Sequence, residues 1–390
     1  LAEKLGMDPM ELRLKNALDL GDTTITGDLM VPEVGVGIRA CLEAVKQKLA
    51  ELPLPEVGPD EKIGVGIAAG MKNVGLGNAL PDSAGAKVSL ESDGTFMVRH
   101  GATDMGQGVN DVMATIASRT LDTPLKFIRV HTADTHEDPP GGMTTASRQT
   151  FVTGNAVLEA SRNVRQQLWQ AVSDEFNVPV DQIALQDGVF VSRENGRALI
   201  SLKELASNGH SFESDVTYDP PTTQAPGKHA PVQAQPGNPP VHFAYDFGAQ
   251  AAVVAVNPNT GAVRVLRIIA AHDVGKSILP RNVTGQIEGG VIQGVGYATS
   301  EAYVLESGIP KTTKYKDLGL LRFRDLPEIV PITVEDPHPR GPYGAKGMGE
   351  LVITPTAPAI VNAIHNAVGI WVNSLPVTKE KVLAAIQAKE

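Results

Sequence analysis

The sequence predicts an α+β fold with mixed sheets and packed helices. Three observations carry that expectation. Strand-like and helix-period runs occur in blocks along the chain. Strands run through Gly-rich turns into helices at more than one place. A Pro-rich interruption at 217–240 marks a composition shift between two halves. The 390 residues suffice for two or three domains with a sizeable core. The domains expected are a helical lead-in and linker over 1–60, an α+β unit over 61–216, the linker 217–240 and a second α+β unit over 241–390.

Residues 1–20 read as a short helical hairpin, with Asp8 as N-cap and Pro9 at the first helical position. Ile38 to Leu52 has helical periodicity, with Leu42, Val45 and Leu49 on one face and Cys41 packed there as a small apolar residue. Strands are expected at Gly64–Ala69, Ala86–Glu91 and Thr95–His100, the last two joined by a Ser-Asp-Gly turn. A Gly/Asn-rich loop, Met71 to Ser83, lies between the first two. A helix follows from near Val109, then a strand Phe127–Thr132, a long polar loop and a helix Val152–Phe176. Residues 178–216 form a small α/β piece with a helix opening at Ser201. Gly248–Val256 and Ala262–Ala271 flank Asn-Pro-Asn-Thr-Gly as a hairpin. A Gly-rich helix covers 285–296, a strand Ile332–Glu335 follows, and helices close the chain over Thr354–Val368 and after Pro376.

Composition narrows the function. A net charge of −10 argues against nucleic acid and anionic membranes as partners. The single Cys41 excludes an intrachain disulfide, an iron–sulfur cluster or a Cys-rich zinc site built by this chain. The nine histidines show neither HxxEH nor HExxH spacing, so no protein-ligated metal is expected. No uninterrupted apolar run approaches the length of a membrane span and no stretch has the pattern of a signal peptide, so a cytoplasmic setting is expected. The chain opens without an initiator Met, as a split subunit, a processed chain or a fragment would.

Four stretches carry chemistry. Asp104–Gly108 and the hydroxyl-rich run Thr145–Ala156 each lie where loop becomes helix, which is where backbone N–H groups converge on anions. The alternatives are an ordinary turn and an elaborate N-cap. The helix around Gly285–Gly296 carries glycines that each cost about 1 kcal/mol relative to Ala. Close packing against another element or against a ligand would explain them. Gln286 and Gln293, seven apart, share one face and could serve one ligand. Gly341–Glu350 ends a Gly-rich turn on a carboxylate at a rigid junction, a place to hold a general base, or else a solvated surface turn.

Together DMGQG (104–108), TASRQ…TGNA (145–156), HDVG…GQIEGGVIQGVGY (272–297) and GPYGAKGMGE (341–350) resemble the molybdenum-binding subunit of the xanthine dehydrogenase/aldehyde oxidoreductase family of molybdenum hydroxylases, in that family's order and approximate spacing. The resemblance covers essentially the whole chain. It implies the family's molybdopterin-binding fold and a molybdopterin cofactor in its cytosine dinucleotide form, with the metal held by the pterin and not by the protein. It implies Glu350 as general base. It further implies Gly106, Gln107 and Gly108 at the pterin or phosphate, and Ala146, Ser147, Arg148 and Gln149 at the phosphates and nucleotide end. Gln286 would hydrogen-bond the cofactor, and Lys346, Gly347, Met348 and Gly349 would wrap the metal centre. The implied reaction hydroxylates an electron-poor carbon of an N-heterocycle or aldehyde with water as oxygen source. Fe–S clusters and FAD would sit on partner chains. Residues 1–60 do not match the family's front domain, so the chain looks like the C-terminal half of the subunit, completed by a chain carrying the N-terminal half, as in nicotinate dehydrogenases. Two other readings are a non-catalytic, cofactor-holding half and a generic nucleotide-binding protein. The second lacks any GxGxxG or Walker pattern.

Overall fold

The computed structural model describes residues 1–226 and 239–389. In chain order its elements are α1 (Ala2–Leu5), α2 (Pro9–Lys15), α3 (Ile38–Glu51), β1 (Lys62–Asn73), β2 (Ala84–Leu90), β3 (Phe96–His100), α4 (Val109–Leu121), β4 (Ile128–Thr132) and α5 (Gln149–Phe176). Then come β5 (Ile183–Gln186), β6 (Val189–Ser192), β7 (Ala198–Ser201), α6 (Leu202–Ser207), β8 (Glu213–Tyr218), β9 (Tyr245–Val256) and β10 (Val263–Asp273). The last are α7 (Pro280–Thr299), β11 (Leu305–Glu306), β12 (Ile309–Pro310), β13 (Glu328–Val334), α8 (Thr356–Val368) and α9 (Lys379–Gln387).

Two four-stranded mixed sheets organise these elements, as expected for α+β. One has the order β1-β9-β10-β13, with β10 and β13 parallel and the other pairs antiparallel. Every residue of β9 is buried, because helices cover both faces. Alternate β9 and β10 side chains divide accordingly. Ala252, Val254 and Ile268 pack with α7 and α8, while Phe247, Ala251 and Ile269 pack with α3. The other sheet has the order β4-β3-β2-β8 and is covered by α4 and the 28-residue α5. A small antiparallel sheet, β5-β6-β7, packs at the far end of α5, where Trp169 meets Phe190 edge-on at 5.0 Å.

Local chemistry sets most boundaries. Asp8 caps α2 by accepting from the N–H groups of Met10 and Glu11 at 2.8 and 3.0 Å. Ser201 and Glu204 form a reciprocal capping box that opens α6. Cys41 is fully buried, its thiol 3.5 Å from the Phe247 carbonyl. Leu351–Val368 is long and apolar enough to cross a membrane by length and composition alone, but half of it is buried in the core and a 3₁₀ turn precedes α8.

Sheet membership departs from the expected domain boundaries. Strand β1 pairs along its whole length with β9, so residues 62–73 build the sheet of the second half and not of the first. The reason is in β1 itself. A Cβ on Gly64 or Gly66 would come within 2.1 Å of α8 backbone, so only Gly lets that helix lie on this strand. Of the Pro-rich stretch 217–240, residues 227–238 lie outside those described. Its two flanks meet where the Gln224 N–H donates to the Pro240 carbonyl at 2.9 Å.

The glycines of α7 differ in what surrounds them, and none of them lines the cavity described below. Added Cβ atoms on Gly290 and Gly294 would fall 2.1 Å from Val352 and 2.5 Å from Thr356, so these positions are helix-packing sites. Gly285 and Gly289 meet nothing within 4 Å. Gly290→Ala is therefore expected to destabilise the protein by about 1–3 kcal/mol through overpacking. Gly285→Ala should stabilise the ligand-free protein by up to about 1 kcal/mol. Urea unfolding of the two variants checks the pair, and equal effects would show that packing does not distinguish them.

Candidate functional site

The loops between β3 and α4, before α5, after β10 and after β13 converge on one cavity of about 400 Å³. Gly106, Gln107, Ser147, Arg148, Gln149, Gln286, Lys346, Gly347, Met348, Gly349 and Glu350 all line it, from four separate stretches of chain. Gly108 and Ala146 stand just behind the wall. Gly108, at φ +78°, lets α4 begin 2.5 Å (Cβ position) from the Asn282 side chain. Ala146 and Ser147 both hold left-handed backbone, φ 52° and 48°, which costs on the order of 1 kcal/mol or more for residues with a Cβ. Gln293 is exposed and lies outside the cavity, so the shared-ligand reading of Gln286 and Gln293 does not hold.

Glu350 is held from three directions. One carboxylate oxygen accepts from the Ala146 N–H at 2.9 Å and the Thr145 hydroxyl at 3.2 Å. The other lies 2.9 Å from the Lys72 ammonium. The Glu350 N–H donates to the Ser147 hydroxyl at 3.2 Å. Burial pushes this carboxyl up, but the Lys72 hydrogen bond and charge, with the Ala146 and Thr145 donors, outweigh it, and Glu350 sits below its ordinary range. Lys72 faces Asp246 across the β1/β9 register. Asp246 is fully buried, neither of its carboxylate oxygens has a partner among the described residues, and burial holds it well above the carboxylate range. Burial thus opposes a charge on Asp246, and the carboxylate that the Lys72 ammonium meets within 4 Å is Glu350. Lys72 is the one cation in the Gly/Asn-rich stretch Met71 to Ser83, and that isolation is its signal in the sequence.

Several expected ligand contacts are made inside the protein instead. The Arg148 guanidinium is fully buried, paired with Asp82 and donating to the carbonyls of Asp82, Ser83, Gly141 and Met143. Gln149 donates to the carbonyls of Gly141 and Met143 and accepts from Thr153. Neither side chain is available to phosphate, because both are consumed in shaping the 141–147 loop. The Lys346 ammonium turns inward to a 2.6 Å pair with Asp273, both fully buried. Burial pushes Asp273 up, against the pull of Lys346. The Gln107 side chain folds back onto the Thr103 carbonyl at 2.9 Å. What stays open to a ligand is backbone and small polar groups. Among the described residues, the first-turn N–H groups of Gln149–Phe151 and those of Gly347, Met348 and Gly349 have no backbone acceptor, and the Gln286 side chain has no hydrogen-bond partner. The Ser277 hydroxyl is buried at the wall without a partner. Asp104 organises the Gly106–Gly108 turn, accepting from both glycine N–H groups at 2.8 and 3.3 Å. Among the described residues no cluster of His, Cys, Asp or Glu could hold a metal. These free donors on one side, facing an apolar wall that includes Val109, Val112, Ile278 and Leu279, fit a phosphate-bearing organic cofactor.

Two outcomes follow. Lys72→Met should move the Glu350 titration to higher pH, read as the midpoint of carbodiimide labelling of Glu350 by peptide mass mapping. An unmoved midpoint would remove Lys72 as the controlling charge. Arg148→Ala should lose about 3–5 kcal/mol in chemical denaturation, because it strands Asp82 and four carbonyls in the interior.

Comparison with known proteins bears on this cavity. The molybdopterin cofactor-binding domain family matches residues 40–327. The chain is similar, at 31% identity over its full length, to a probable xanthine dehydrogenase subunit of Bacillus subtilis, covering 50% of that protein. It is 31% identical to the aldehyde oxidoreductase of Megalodesulfovibrio gigas, again over its full length and 39% of the relative. The crystal structure of the aldehyde oxidoreductase from Desulfovibrio desulfuricans superposes with a TM-score of 0.77 at 30% identity, covering 98% of this chain and 39% of that one. The chain thus spans half or less of the length of these relatives. It belongs to the molybdopterin cofactor-binding domain family.

Proposed function

We propose that this chain is the molybdopterin-holding, base-bearing half of a molybdenum hydroxylase. On this reading it hydroxylates an electron-poor carbon of an N-heterocycle or aldehyde with water as oxygen source. The observation that carries the reading is the ionised Glu350, clamped by Lys72, Ala146 and Thr145 at the wall of a donor-lined cavity. The residues suited to hold the cofactor are the Gly106–Gly108 turn, Ser147 with the first turn of α5, Gln286, and the backbone of Gly347–Gly349. When bound, molybdopterin supplies the two-electron redox chemistry.

The protein's own part is to place a base. A carboxylate kept below its ordinary range is fully ionised at neutral pH and can accept a proton there. As it does so, its ion pair with Lys72 loses one charge, which limits how basic it can be. The backbone donor from Ala146 keeps its orientation through that change. The cytosine dinucleotide form of the cofactor, the partner chains carrying Fe–S clusters, FAD and the rest of the molybdenum-binding subunit, and the cytoplasmic setting belong to this same proposal. The relatives' greater length supports a completing polypeptide.

Glu350→Gln in the assembled complex is expected to lower turnover by about 10²–10⁴-fold or more while molybdenum, by elemental analysis, stays at the wild-type level. Turnover retained with the metal in place would sink the assignment of Glu350 as base and favour a half that only holds the cofactor.

A further inference from the structure

Away from the cavity, three elements enclose a second concavity of about 610 Å³: the C-terminal turn of α4, the middle of α5 and Tyr343. It adjoins a groove of about 510 Å³ that shares Arg162 and Tyr343. We propose that this concavity binds a phosphate-type oxyanion.

The protein carries a net −10, yet Arg119, Arg162 and Arg165 face this one space; among the described residues Asp122 is the only acid on its wall, with Glu159 and Asp219 on the adjoining groove. None of the three guanidiniums makes an ion pair within 4 Å or a side-chain hydrogen bond among the described residues. Most other arginines, such as Arg99, Arg129, Arg148, Arg264 and Arg267, do. Like charges gathered without counter-charges repel one another, and an anion relieves that.

Two of the guanidiniums are held by stacking instead of by carboxylates. Arg119 lies 3.9 Å over the Tyr343 ring and Arg165 lies 4.4 Å over the Trp169 ring. The Arg165 Nε is buried without a partner, so packing and not hydrogen bonding fixes that side chain. A guanidinium stacked by its face keeps its terminal N–H edge for a planar or tetrahedral oxyanion. Arg162, Arg165 and Trp169 are spaced three and four apart, so α5 presents them on one face.

The concavity is separate from the 400 Å³ cavity. Arg162 lies 13 positions beyond Gln149, about 20 Å along α5 at its 1.5 Å rise. Tyr343 connects the two. Its hydroxyl meets Thr120 at 2.7 Å, its backbone is left-handed at φ +54°, and it belongs to the loop that ends at Glu350. An oxyanion bound beside it braces that loop from outside the cavity.

Calorimetric titration of the assembled complex in phosphate-free buffer, with inorganic pyrophosphate and separately with adenosine diphosphate, tests this. Saturable binding that weakens with added salt is expected, at least tenfold weaker in Arg162→Ala/Arg165→Ala and in the charge-preserving Arg165→Lys. Arg197→Ala, an exposed arginine elsewhere, should bind as wild type. Equal affinities would point to free polyphosphate, and a tighter diphosphate nucleoside to a nucleotide. The proposal is overturned by no binding to the wild-type complex or by binding unchanged in the α5 variants. It is also overturned if phenylglyoxal labels Arg162 and Arg165 only after the complex is dissociated, which would show that a partner chain covers the arginines. Binding heat is read without turnover, so this outcome is independent of the molybdenum reading.

Discussion

The arrangement around the cavity depends on one buried cation. Arg148 stands at the start of α5 with its guanidinium sealed from solvent, satisfied by Asp82 and by carbonyls from two loops. An unpaired charge at that depth would be prohibitive, so the loops must keep their carbonyls turned toward it. That requirement fixes the 141–147 loop, which then carries Ala146 and Ser147 through left-handed backbone. Those two residues hold Glu350 through an amide N–H and a hydroxyl. The position of the carboxylate is therefore set by a residue that never touches it.

A second buried pair does the same from the other side. Lys346 and Asp273 tie the Gly-rich loop to the end of β10, reinforced by the Lys346 N–H donating to the Val274 carbonyl at 2.9 Å. Gly347 then lies against the Ser147 carbonyl so closely that a Cβ there would stand 1.6 Å from it. Two rigid loops, each anchored by an internal ion pair, meet at the point where Glu350 emerges. Such anchoring holds a base in one geometry without rotamer freedom of its own. The backbone N–H groups left over on both loops make the cavity a donor-lined space, which is what a multiply charged organic cofactor needs.

Electrostatic division of labour runs through the whole site. Lys72 is the cation that meets Glu350, while burial pushes Asp246, its partner across the β1/β9 register, well above the carboxylate range. Of the other charges at the cavity, Arg148 and Lys346 are neutralised in the interior, while Lys276 on the wall pairs with Glu335 at the surface. The arginine-lined concavity along α5 differs, with three arginines and one acid on its wall and no ion pair within 4 Å among the described residues.

Sequence alone determined those elements that depend on local terms: the helix over Ile38–Leu52, the cap at Asp8, the helix opening at Ser201 and the turn between β9 and β10, while strands such as β8 (Glu213–Tyr218) were not legible. It also singled out four stretches that the fold brings to one cavity, through their order and spacing together, since a single Gly-rich turn is common. Tertiary structure decided the rest. Whether a glycine in α7 faces a helix or a ligand depends on what lies 2–4 Å away, which no local pattern encodes. Whether Arg148, Gln149 and Lys346 point at a ligand or into the core depends on carboxylates and carbonyls up to 73 positions distant in sequence. The pairing of β1 with β9, and with it the placement of Lys72 against Glu350, joins residues far apart in the chain. Only the folded sheet brings them within hydrogen-bonding distance.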